Sequence, residues 1–184
     1  MIKKEINEGF SLIEMLVVLV VFSILIILAT QAVFLTLRSA KKAENLVKVR
    51  QNLDNAMGVI ERGLRSASEI DCTEGNPANS DRSVQFNDTE GNTLTYVCDP
   101  GKNIIIEYLN DPDGGKIRQG NLTSDEISVD CSSRPVFDCE PNEFSAAPPK
   151  VTIDLEARSK GSSGAESATV STHTQVYLRL YDYQ

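Results

Sequence analysis

Residues Phe10 to Leu37 read FSLIEMLVVLVVFSILIILATQAVFLTL, 28 residues that carry one charge, Glu14. As a helix this stretch is about 42 Å long, more than the roughly 30 Å hydrocarbon core of a bilayer requires. No amphipathic face survives between Leu16 and Phe22, which argues against a buried helix of a soluble domain. An export signal removed by ordinary signal peptidase fits poorly. The preceding residues mix Lys3 and Lys4 with Glu5 and Glu8, and the small-residue site Thr30-Gln31-Ala32 is followed by Val33-Phe34-Leu35. The stretch reads as a retained membrane-spanning helix at residues 10–37.

Outside this stretch the character changes twice. The chain has 184 residues and a net charge of −8. Residues 1–37 hold two Lys against three Glu; residues 38–69 hold seven basic against four acidic residues; residues 71–184 hold nine basic against nineteen acidic. An acidic domain of this kind repels phosphates, so no nucleic acid is expected to bind the isolated domain. In residues 38–70 apolar or small side chains recur at Leu46, Val49, Leu53, Ala56, Ile60, Gly63, Ala67 and Ile70, with Met57 and Leu64 beside them. Steps of three and four mark one helical face. With no proline before Pro77, one helix is expected from about Phe10 to about Ser68, packed on the chain's own sheet rather than in an intermolecular coiled coil. Gly58 and Gly63 mark bends or close packing.

Residues 71–184 read as a β-rich globular domain. Strands are expected at Ser83 to Asn87, Thr93 to Cys98, Asn103 to Leu109, Lys116 to Arg118, Glu126 to Asp130, Lys150 to Ala157 and Thr169 to Tyr183. In the last strand Val170, Thr172, Thr174, Val176, Leu178 and Leu180 share one face. Ser159 to Ser167 is a flexible connector. The fold class is α+β: a long N-terminal helix packed on a mainly antiparallel sheet. Cys72, Cys98, Cys131 and Cys139 have no zinc-ligand spacing and allow three disulfide pairings. The expected arrangement joins Cys72 to Cys98 and Cys131 to Cys139, in an oxidising exterior.

A plain anchor does not explain Glu14: a carboxylate inside a bilayer costs about 2.5–3.5 kcal/mol unless it finds a partner, or else it sits at the headgroup level and snorkels at little cost. The run Lys3-Lys4-Glu5-Ile6-Asn7-Glu8-Gly9-Phe10-Ser11-Leu12-Ile13-Glu14-Met15 resembles the processing signal of type IV prepilins and pseudopilins. The resemblance implies a leader at residues 1–9, cleavage between Gly9 and Phe10 by a prepilin peptidase, and N-methylation of Phe10. It also implies that Glu14 pairs with the new α-amino group of a neighbouring subunit. The segment Glu61-Arg62-Gly63-Leu64-Arg65 resembles the helix end of J-type pseudopilins and W-type minor pilins, with Gly63 where that family commonly has Asp. Gln31 stands where many major pilins carry a kink-forming proline.

The resemblance implies a non-enzymatic, pilin-like filament subunit of a type IV pilus or type II secretion pseudopilus, acting in a tip or priming complex. Its implied partners are the peptidase, other pilin subunits, the inner-membrane assembly platform and, before assembly, membrane lipid. Its topology would be single-pass with the N-terminus inside, and its final place a surface pilus or periplasmic pseudopilus. The count of basic residues disagrees, since Arg38, Lys41, Lys42, Lys48 and Arg50 follow the span and only Lys3 and Lys4 precede it. A membrane-anchored extracellular binding module that never assembles is the competing reading. No catalytic site, metal or cofactor is expected: His173 reads as a solvated strand residue, and Asp111-Pro112-Asp113-Gly114-Gly115 as a tight turn lacking the further ligands of a calcium loop.

Overall fold

The computed structural model describes residues 11–70, 72, 80–140, 149–161 and 164–178. Among the described residues one α-helix, α1, spans Leu12–Arg65 and is followed by nine strands, all paired antiparallel. Five form the first sheet in the order β1 (Ala67–Glu69), β2 (Ser83–Asp88), β3 (Thr93–Asp99), β4 (Ile104–Asn110) and β5 (Lys116–Asn121). In the second sheet β8 (Lys150–Ser159) is central. It pairs with β6 (Ile127–Val129), β7 (Phe137–Glu140) and β9 (Thr169–Tyr177). The chain divides into two units, residues 1–41 and 42–184.

Within the second unit, the helix buries Val49, Leu53, Ala56, Met57, Ile60 and Leu64 in one cluster with residues of both sheets. The expected stripe is present with one correction. Leu46 is 40% exposed, and Asn45, one position earlier, faces inward instead. Its carboxamide donates to the Glu166 carbonyl at 2.9 Å, while the Asn52 side-chain oxygen, two turns on, accepts from the Ser124 backbone N–H at 3.2 Å. The two asparagines hold loops at the base of the second sheet against the helix.

The helix ends at Arg65, earlier than the expected Ser68. Ser66 turns its hydroxyl back onto the Gly63 carbonyl at 2.7 Å, a local bond that competes with helical propagation. Ala67 then pairs with Asp88, and the Ser68 hydroxyl donates to the Asp88 carbonyl at 2.7 Å, which makes β1 the first strand of the sheet. Sequence reading passes over β1 and β7, which are only three and four residues long. The β9 face is as expected, with Val176 and Leu178 buried and the intervening side chains exposed; Leu180 lies outside the described residues. The connector before it contains a 3₁₀ turn, Gly164–Glu166.

Gly63 is a point of close approach. A Cβ at this position would fall on the Tyr96 hydroxyl, 3.1 Å from Tyr96 Cζ and 3.2 Å from Phe86 Cζ. At Gly58 it would meet only the flexible Arg62 guanidinium, at 3.5 Å. The Tyr96 and Phe86 rings meet at a tilt of 46° with centroids 5.8 Å apart beneath the helix. Across the ladder Tyr96 pairs with Glu107, whose buried carboxylate is held by Arg118 at 2.6 Å. Burial pushes the Tyr96 phenol well above its ordinary value, and the Glu107 charge adds to the rise.

Gly63→Ala should therefore lower unfolding free energy by about 1–3 kcal/mol through overpacking, whereas Gly58→Ala should leave it unchanged or raise it by up to about 1 kcal/mol. Urea unfolding of the two variants checks the contrast. The folded state also retains the Tyr96 proton at pH values where the unfolded chain has released it. Its contribution is complete below the ordinary phenol value of 10.0 and declines as pH rises beyond it, at about 1.4 kcal/mol per pH unit while the buried phenol stays protonated. Stability measured from pH 9 upward should fall less steeply in Tyr96→Phe than in the parent chain.

Candidate functional site: the amino-terminal segment

The first described residue, Ser11, immediately precedes α1. Its carbonyl accepts from the Glu14 N–H at 3.0 Å and the Met15 N–H at 3.3 Å. Ser11-Leu12-Ile13-Glu14 has the spacing of a capping box, a helix-start signal that the sequence carries beside the resemblance. Glu14 thus sits in the first turn, where the helix dipole favours a negative charge. Its carboxylate has no ion-pair or hydrogen-bond partner among the described residues. Gly9 and Phe10 lie outside the described residues.

Beyond Glu14 the helix continues without a break through Gln31. Every large apolar side chain from Leu12 to Leu37 is at least 50% exposed. This is one helix long and apolar enough to cross a membrane, with a mean hydropathy of 3.1 over its most apolar 18 residues. Its hydroxyls are satisfied internally. Ser23 donates to the Leu19 carbonyl at 2.7 Å, Thr30 to that of Ile26 at 2.8 Å and Thr36 to that of Ala32 at 2.9 Å. Such back-bonding lets short polar side chains reside in hydrocarbon.

The cysteines form two disulfides, but not those expected from chain proximity. Cys72 joins Cys139 and Cys98 joins Cys131, with Cα separations of 5.3 and 5.5 Å. Each crosses between the sheets. Cys98 lies in β3 and Cys131 just beyond β6; Cys72 follows β1 and Cys139 lies in β7. Short-loop reasoning favoured pairs within each half. The docking of β6 onto the β3–β4 end, where the Val129 N–H donates to the Asn103 carbonyl at 2.8 Å, brings the other partners together.

The remaining singled-out residues have local roles. The Asp111 carboxylate accepts from the Gly115 N–H, and the Asp111 N–H donates to the Gly115 carbonyl at 2.7 Å, which closes the β4–β5 turn. Asp113 lies exposed in the same turn. His173 Nδ1 is 2.7 Å from an Asp154 oxygen across the β8–β9 ladder, on the exposed face. Asp130 caps the following loop, accepting from the Ser132 and Ser133 N–H groups at 3.0 and 3.1 Å. These bonds, with the Ser133 side chain foremost, hold its carboxyl below the usual range.

Peptide mapping of the non-reduced chain should recover only the Cys72–Cys139 and Cys98–Cys131 links. Reduction should remove stability of about 4 kcal/mol per bridge, as expected for closed loops of these lengths. A Cys72–Cys98 peptide would contradict the observed docking of the sheets.

Residues 7–30 match the family model of the prokaryotic N-terminal methylation motif. The match covers Gly9, Phe10, Glu14 and most of the apolar span, so the amino terminus carries a type IV prepilin-like processing signal. It precedes a pilin-like α+β architecture, a long helix followed by antiparallel sheet. No curated protein and no solved structure matches the chain.

Proposed function

We propose that this prepilin-like chain is a non-enzymatic filament subunit. A prepilin peptidase cleaves it between Gly9 and Phe10 and methylates Phe10, and it assembles as a minor subunit in the tip or priming complex of a type IV pilus or type II secretion pseudopilus. The observation that carries this reading is the methylation motif across residues 7–30, with Glu14 in the first helical turn and without an ion-pair partner among the described residues. Cleavage creates an α-amino cation on an apolar helix. In a staggered stack of helices the Glu14 carboxylate of one subunit meets the amine of the next, and two charges that are costly alone are buried as a pair. Glu14 then sets axial register as well as affinity.

The minor, J/W-like assignment draws support from the end of the helix, where Glu61 and Arg65 form an ion pair at 3.1 Å around Gly63. The long β8–β9 hairpin is consistent with it. The orientation, N-terminus inside and residues 42–184 outside, draws support from the two disulfides, which persist in oxidising compartments. Before assembly the protein is a single-pass protein of the cytoplasmic membrane, and its partners are the peptidase, sister pilin subunits and the assembly platform.

Mass spectrometry of the mature chain isolated from its own host should find N-methyl-Phe10 as the first residue; a chain retaining residues 1–9 would sink the proposal. Glu14→Ala should insert normally and lose co-assembly, since removing one partner of a buried ion pair costs about 3–5 kcal/mol. Incorporation of this variant at parental levels would refute the pairing role.

A further inference from the structure

The polar side chains of the apolar span fall into two classes. The hydroxyls of Ser23, Thr30 and Thr36 donate to carbonyls one turn earlier and need nothing from outside the helix. The Gln31 carboxamide is exposed and has no hydrogen-bond partner among the described residues. Unlike those hydroxyls it makes no bond back to its own helix, and it offers two donors and an acceptor. An apolar surrounding gives such a group no partner, so its insertion is unfavourable until another polar group reaches it.

The residues that share its face are apolar from Ile24, Ile27 and Leu28 on the preceding turns to Phe34 and Leu35 on the next, and Arg38, two turns on, ends the apolar run of that face with a charge. The hydrogen-bonding group is thus set in a helix surface that is apolar from Ile24 to Leu35. We propose that Gln31 is the polar contact of a parallel helix pair formed by two copies of this chain in the membrane. Copies inserted with the same orientation hold residue 31 at the same depth. A two-fold axis along the membrane normal therefore brings Gln31 against Gln31. The carboxamide is its own complement, the N–H of one donating to the oxygen of the other, so the match requires no second sequence.

Glu14 lies 17 residues earlier, about 260° around the helix at 3.6 residues per turn. The two polar groups therefore occupy different faces. A pair held through Gln31 leaves Glu14 open for its own contact, and a pre-formed pair can present two Glu14 faces to an assembly partner. The inference rests on the membrane insertion in the proposed function and not on filament assembly.

The test uses the full chain, labelled at its C-terminus with donor or acceptor fluorophore, in phosphatidylethanolamine/phosphatidylglycerol vesicles. Energy transfer is followed as protein is diluted into lipid. The parent should show pairing above random proximity; Gln31→Leu should weaken it roughly five- to tenfold, in line with interhelical amide bonds, and Gln31→Asn, which keeps a self-complementary carboxamide, should retain it. Equal pairing of parent and Gln31→Leu would overturn the proposal, as would a monomeric parent at every dilution, the result expected if the amide reaches the headgroups. Neither result bears on cleavage at Gly9 or on filament incorporation, so the failure of either reading is separable from that of the other.

Discussion

Burial of one stripe of α1, from Val49 to Leu64, against the sheets is the contact on which the folded unit depends. Each of its large apolar side chains that leaves water contributes about 1.5–3 kcal/mol, and the stripe is contiguous with the inner faces of both sheets. Its geometry is set as much by what is missing as by what is present. Gly63 removes a side chain where Tyr96 needs room, and Tyr96 in turn lies opposite Glu107, whose buried carboxylate pairs with the exposed Arg118. A single Cβ at that point would force the helix away from Phe86 and Tyr96 together.

The same helix meets two different environments. Up to Leu37 it is apolar on all sides and stabilised by its own backbone bonds and the back-bonded hydroxyls. From Asn45 onward it is apolar on one side only, and its other faces carry the ion pairs Glu44–Lys48, Arg50–Asp54 and Glu61–Arg65. Such exposed pairs stabilise an isolated helix by only a few tenths of a kcal/mol each. The one-sided burial, more than charge pairing, gives this half its folding energy.

The disulfides address a separate weakness. Contacts between the two sheets run through a short β6 and a short β7, and strands of three and four residues hold little by themselves. Both bridges cross at those strands, Cys98–Cys131 beside β6 and Cys72–Cys139 on β7. An oxidising setting would make such cross-links durable, and they restrict the unfolded chain.

The features that the sequence alone determined are those with local causes. Length and hydropathy marked a membrane-competent helix, observed from Leu12 onward, the three-and-four spacing marked its buried face, the turn at residues 88–92 marked the β2–β3 hairpin, and alternation marked β9. The Gly9, Phe10 and Glu14 motif was legible for the same reason: its elements stand at fixed intervals in a contiguous run. Only the tertiary structure decided that Asn45 rather than Leu46 turns inward, because a loop carbonyl at Glu166 is available to satisfy it. It also decided that Gly63 accommodates Tyr96 and that the disulfides run across the sheets. Those outcomes depend on which distant segments are brought within a few ångströms, a quantity set by sheet pairing and docking over separations of 33 and 67 residues.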